Sequence, residues 1–160
     1  MVGKFFVLVA ENRKVQKKKG EFEMEIVRNN NSNPYRLHDV NIVDMIVDFN
    51  KIKMYVSPGM FEIEEPYDIV EGHIEFNWVE WDFSYVYILD FVGNTGIFSG
   101  EKMFLKDFLK KYPEFYFEIC DETYGFNQSK YSGYLIENGT RKECMIEIYH
   151  AGDMIYVTER

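Results

Sequence analysis

The side chains in this chain best equipped for chemistry are carboxylates, and they are spread one-sidedly. From Met54 to Glu101 there is no lysine or arginine, while Glu62, Glu64, Glu65, Asp68, Glu71, Glu75, Glu80, Asp82 and Asp90 all fall inside that window. In a strand, alternate residues share a face, so Glu62 and Glu64 would point together roughly 6.6 Å apart. Phosphates along one DNA strand have a similar spacing, so an ordered carboxylate array could occupy a groove built for nucleic acid. The plainer reading is a solvated acidic face that keeps the protein dispersed. Both tryptophans, Trp78 and Trp81, lie in the same window. Three residues apart in a strand, they would face opposite sides. One would then enter the core and the other would offer an anchor for a partner; the alternative places both in the core. The expected partner-binding set is therefore Glu62, Glu64, Glu65, Asp68, Glu71, Glu75, Trp78, Glu80, Trp81 and Asp82.

Other chemistries find less support. Adjacent acids such as Glu64/Glu65 or Glu80/Asp82 have the groups for acid–base work, but 27 acids in 160 residues make such neighbours commonplace. His38, His73, His150, Cys120 and Cys144 show no metal-ligand spacing. No metal, cofactor or catalytic residue is expected. Cys120 precedes Asp121 and Glu122, and Cys144 follows Glu143. An anionic setting raises a thiol's pKa, so both read as inert structural cysteines. Gly93, Gly96 and Gly100 precede an expected helix without the pattern of a phosphate loop. The basic run at 13–19 reads as a solvated hairpin loop, with no aromatic platform for RNA attached.

Length and composition set the frame. A chain of 160 residues suggests one domain, 1–160, large enough for a core without disulfides. Fourteen Phe, 12 Tyr and 2 Trp argue for order and favour strands. Six of the 18 basic groups lie in residues 1–20 with one acid. Residues 21–160 then carry 12 basic against 26 acidic groups, a net −14. Direct nucleic-acid binding is disfavoured, and a basic protein partner is favoured. The apolar run at 5–10 is too short for an export signal or a membrane span, so a cytoplasmic, non-membrane protein is expected.

Several elements must position these groups. Strands are expected at 3–10 and 21–27, where Phe22, Met24 and Ile26 alternate with Glu21, Glu23 and Glu25. Residues 39–49 fit helical spacing with Asp39 as cap, although their β-branched content opposes it. Strands follow at 52–56, 60–64, 72–82 and 84–92. A helix is expected at 100–112, capped by Ser99, striped by Phe104, Leu105, Phe108, Leu109 and Tyr112, and stopped by Pro113. After a strand at 114–120, Asn138-Gly139 predicts a hairpin between 131–137 and 141–149, and 151–153 turns into 154–157. These elements add up to α+β: a large antiparallel sheet with one or two helices on one face and a C-terminal β-meander.

Residues 85–140 carry a partial resemblance. A strand and turn lead to Phe108-Leu109-Lys110-Lys111-Tyr112-Pro113. Phe115-Tyr116-Phe117-Glu118, a Gly125-Phe126 turn and Tyr131 through Asn138-Gly139 follow. This resembles the ferredoxin-like domain of small plasmid- and phage-encoded proteins of uncharacterised function. The resemblance implies an α+β sheet and a mobile-element origin, and carries over no catalytic residue.

The function expected from these residues is that of a non-enzymatic, acidic protein-binding inhibitor. It would be an immunity protein or a phage anti-defence, anti-CRISPR-like factor, docking on a basic nuclease or nucleoprotein. The alternatives are a metal-dependent hydrolase using clustered carboxylates, with His38 or His73 as base, and a self-associating structural subunit, a homo-oligomer that buries its aromatics.

Overall fold

The structure is a computed structural model that describes residues 13–18, 21–28, 33–91 and 98–159. The expected strand at 3–10 and the Gly93–Gly96 break lie outside the described residues. Among the described residues, fourteen strands, one α-helix and a 3₁₀ turn at Trp81–Phe83 are assigned: β1 (Arg13–Lys18), β2 (Glu21–Val27), β3 (Tyr35–Arg36), β4 (Asn41–Asp48), β5 (Lys51–Ser57), β6 (Met60–Glu62), β7 (Ile69–Val70), β8 (Gly72–Phe76), β9 (Tyr85–Phe91), β10 (Phe98–Phe104), α1 (Leu105–Lys111), β11 (Tyr116–Gly125), β12 (Gln128–Glu137), β13 (Thr140–Tyr149) and β14 (Met154–Glu159). Eleven strands form one antiparallel sheet in the order β1-β2-β14-β8-β5-β4-β11-β12-β13-β9-β10, and β3-β6-β7 form a small second sheet. The described residues are therefore nearly all sheet, with one short α-helix, which corrects the α+β expectation.

Two misread segments account for the correction. The first is 39–49, expected as a helix, which contains β4. Its apolar residues recur at helical spacing because a bulge lies between Ile42 and Asp44 in the pairing with β5. The extra residue shifts the inward positions by one, so burial falls on Val40, Ile42 and Met45. A bulged strand thus imitates a helical stripe, and the β-branched Ile42, Val43, Ile46 and Val47 were the truer signal. The second is 100–112. Residues 98–104 pair along β9 as β10, and only Leu105–Lys111 coil. Ser99 is no cap; Phe104 holds that position, without a side-chain cap bond. The Leu105 N–H donates instead to the Ser84 carbonyl at 2.9 Å. Leu105 and Phe108 are buried, and Phe108 meets Phe115 at 5.1 Å between ring centroids.

The hairpin at Asn138-Gly139 forms as expected, with both residues at positive φ and Glu137 opposite Thr140. The expected meander ends at β13. Instead of folding back beside it, β14 crosses to pair with β2 and β8. That crossing rolls the sheet. Four strand spacings separate β8 from β12, about 19 Å in a flat sheet. Yet Phe76 on β8 and Tyr131 on β12 meet edge to face at 6.5 Å. The core lies inside this roll, around Ile42, Ile52, Met54, Ile74, Phe76, Phe117, Tyr131 and Tyr156, all fully buried. β5 shows the sequence logic: Ile52, Met54 and Val56 point inward, while Lys51, Lys53 and Tyr55 line the other face.

Candidate functional site

The structure divides the acidic window into three parts. Glu62, Glu64, Glu65, Asp68 and Glu71 gather on the small sheet and its β6–β7 loop. Backbone bonds from the Glu62 N–H to the Asp68 carbonyl (2.9 Å) and from the Tyr67 N–H to the Glu64 carbonyl (2.8 Å) close this loop. Ile63, Tyr67 and Ile69 are more than half exposed between the acids, Tyr67 at 61%. Glu159 joins from β14, where its N–H donates to the Glu71 carbonyl at 3.1 Å. Asp68, Ile69, Val70, Glu71 and Glu159 line an open hollow of about 500 Å³. Among the described residues, Glu64, Glu65, Asp68 and Glu71 enter no ion pair.

Glu75 does not belong to that surface. β8 is buried from His73 to Phe76, with Ile74 and Phe76 facing the core and His73 and Glu75 facing the opposite side. Lys51 reaches the Glu75 carboxylate at 2.9 Å, Lys53 at 3.6 Å and His73 Nε2 at 3.2 Å. Tyr55 stacks on the imidazole at 5.0 Å. The hydrogen bond from His73 is the largest influence on the carboxyl. Together with the two lysines it overcomes the opposing effect of burial and lowers the pKa from 4.5 to about 2. This acid is neutralised internally and cannot receive a partner's cation.

Trp78, Glu80, Trp81 and Asp82 lie past the far end of β8. The five residues of that strand span roughly 16 Å of extended chain. Trp78 therefore cannot supply the apolar centre of the patch at 62–71; Ile63, Tyr67 and Ile69 hold that place. Trp78 is 66% exposed, whereas Trp81 packs against the core. Their opposition comes from a left-handed Trp78 (φ 51°) and a 3₁₀ turn at Trp81–Phe83, not from strand alternation. Glu80 and Asp82 are exposed beside that turn.

Sequence reasoning missed what surrounds Trp78. Four loops meet there: 49–50, 77–79, 126–127 and 150–153. Asp48, Phe49, Asn50, Lys51, Asn77, Trp78, Gly152 and Asp153 line a groove of about 390 Å³. Phe126 stands on the rim of a neighbouring hollow that shares Gly152 and Asp153. Phe49 and Phe126 are each 84% exposed. Phe49 ends the segment 39–49, whose spacing suggests a helix. Only its place at a strand end, where binding residues concentrate, could have marked it.

The buried polar groups serve the fold. The Ser129 hydroxyl lies 3.2 Å from His150 Nε2, and His150 Nδ1 is 2.9 Å from the Gly152 carbonyl. A carbonyl only accepts, so Nδ1 carries the proton and Nε2 accepts from Ser129. The pair has the outline of a nucleophile and its base, but Ser129 is fully buried and no substrate carbonyl can reach it. Burial also lowers the His150 pKa. Burial is again the main cause that raises the Glu122 pKa; this carboxylate accepts from the Leu37 N–H at 2.9 Å and the Tyr124 hydroxyl at 3.3 Å. The Cys144 thiol is pushed up to about 12 by burial alone. Cys120 rises by burial first and Glu118 second, so neither of its sequence neighbours is the cause.

The two histidines proposed as hydrolytic bases are both engaged. His38 Nδ1 bonds the Cys120 carbonyl, and His73 sits buried between Tyr55 and Glu75. Among the described residues, no three His, Cys, Asp or Glu side chains converge in a metal-holding group. No helix there is long and apolar enough to cross a membrane. No family model, curated protein or solved structure matches the chain.

Proposed function

We propose that the protein is a binding module that docks its acidic β6–β7 loop on a basic surface of a protein partner. The observation that supports this most is the composition of one preformed surface. Glu64, Glu65, Asp68 and Glu71 stand without a cation among the described residues, and exposed Ile63, Tyr67 and Ile69 interrupt them. The carboxylates steer the encounter and fix its register. The three apolar side chains provide the part of the contact that gains by leaving water.

A cationic cleft that normally holds phosphates is the complementary shape. The partner class is therefore a nucleic-acid-handling protein, and the outcome of docking is inhibition by occupancy. An immunity or anti-defence role is the biological form of this reading. The chain's net charge of −9 suits such a partner and opposes direct contact with nucleic acid.

The test is affinity capture from host cells with the native chain and with the triple variant Glu64→Lys, Glu65→Lys, Asp68→Lys. The native chain retains a basic partner that excess duplex DNA displaces. The variant, folded by circular dichroism, loses it. Equal capture by both proteins would remove this loop from the account.

A further inference from the structure

We propose that the groove between Phe49 and Trp78 is a saccharide-binding subsite. It lies beyond the far end of β8 from the acidic loop, and its argument does not depend on that loop. Its first support is rigidity. Four backbone hydrogen bonds tie its walls together: Val79 N–H to Asn50 carbonyl (2.7 Å), Ala151 N–H to Trp78 carbonyl (2.8 Å), Gly152 N–H to Asn77 carbonyl (3.0 Å) and Asn77 N–H to Asp153 carbonyl (3.0 Å). Loops joined in this way present a site already shaped, so a ligand need not order them.

The aromatic side chains are held outward at some cost. Phe49 and Trp78 take left-handed backbone at φ 53° and 51°, a region where bulky residues are strained. The indole crosses Gly152 so closely that a Cβ there would lie 2.7 Å from its Cδ1. The turn thus fixes the pose of the ring and leaves two thirds of the residue in solvent. Strain of this kind, spent on exposed aromatics rather than on a core, is found where side chains are presented to a ligand.

The polar lining selects the occupant. Asp48 and Asp153 accept hydrogen bonds, Asn50 and Asn77 both donate and accept, and the Lys51 ammonium donates while held by Glu75. Among the described residues, the side chains of Asp48, Asn50, Asn77 and Asp153 have no hydrogen bond of their own. Two carboxylates repel phosphate and other anions. An arginine or lysine side chain would use the two carboxylates but, having no acceptor, would leave the amide N–H groups and the Lys51 ammonium unmatched. An apolar molecule would strand all five groups. A neutral ligand with a flat C–H face and a rim of hydroxyls uses every part, and a pyranose ring has that chemistry. The groove volume of about 390 Å³ falls in the usual range for small-molecule sites.

The test uses the full chain, an array of neutral oligosaccharides built from glucose, mannose, galactose and N-acetylglucosamine, and an arginine-rich peptide as the competing class. Array hits are titrated by isothermal calorimetry, which does not depend on the indole that the main variant removes, up to about 10 mM, tenfold above a millimolar dissociation constant. Trp78→Gly is the main variant, because glycine keeps the left-handed backbone while the ring is lost. Asp153→Ala and Tyr67→Ala are the second and third. At least one oligosaccharide is expected to bind, with affinity falling about tenfold or more in Trp78→Gly, several-fold in Asp153→Ala, and unchanged in Tyr67→Ala. No hit on the array, binding that survives Trp78→Gly, or Trp78-dependent binding of the peptide alone would overturn the proposal.

Discussion

Replacing Glu75 by glutamine tests the division of the acidic window most sharply. The carboxyl titrates at about 2 in the folded chain against an ordinary 4.5. A depressed carboxylate stabilises the fold fully above its unfolded pKa, and that contribution disappears as pH falls through the folded value. The window is therefore pH 4.5 down to about 2. A shift of this size corresponds to about 3 kcal/mol at 1.36 kcal/mol per unit. The Glu75 side chain is only 11% exposed, but Lys51 and Lys53 are each more than a third exposed, so solvent screening removes part of it. Glutamine leaves Lys51, Lys53 and His73 facing a neutral group. At pH 7 the variant is expected to lose about 2–3 kcal/mol, or roughly 5–10 °C in Tm for a domain of this length. Urea titrations of both proteins between pH 7 and pH 2 measure the gap. It should narrow progressively below pH 4.5 and nearly close at pH 2, while partner capture at pH 7 is retained. A gap that stays constant across the range, or is absent at pH 7, would refute the internal neutralisation of Glu75.

Other outcomes follow from the same geometry. Gly152→Ala places a methyl 2.7 Å from the Trp78 ring and 2.9 Å from the Asn77 carbonyl. It should cost about 1–3 kcal/mol in chemical denaturation and shift the indole emission as the ring is displaced. Burial raises the Glu122 pKa, so its ionisation opposes folding as pH rises through the folded value. Glu122→Gln should then flatten the loss of stability on going from pH 4 to pH 7. A slope identical to that of the native chain would contradict the assignment. With its thiol at about 12 and its side chain buried, Cys144 should resist a thiol reagent at pH 8 until denaturant is added, while half-buried Cys120 labels first.

Strand-rich character and the tight Asn138-Gly139 hairpin were legible in the residues themselves. Each rests on a local preference that tertiary packing left in place. The grouping of Glu62, Glu64, Glu65, Asp68 and Glu71 was legible too, because they fall within ten consecutive residues. Three features were not. The bulge at Ile42/Asp44 converts period-two burial into a spacing that imitates a helix, and only pairing with β5 reveals it. Residues 98–104 read as the start of a helix because Phe104 and Leu105 continue the stripe of α1, yet β9 needs a partner along its open side and takes them. The crossing of β14 joins residues far apart in sequence, so no local signal announces it. It is this crossing that brings 150–153 against 49–50 and 77–79 and builds the aromatic groove. Glu75 looked like its neighbours in the window because the facing Lys51 and Lys53 come from another strand.

The proposed function rests on Glu64, Glu65, Asp68 and Glu71, which enter no ion pair among the described residues, recruiting a cationic partner. The measurement closest to it is the association rate of the captured partner, read at a series of salt concentrations. The account predicts a fast native rate that falls steeply as salt shortens the ~10 Å screening length of 0.1 M solution. It also predicts a rate for the Glu64→Lys, Glu65→Lys, Asp68→Lys variant that is about tenfold or more slower at low salt and nearly flat with salt. Equal rates and equal salt slopes for the two proteins would contradict it.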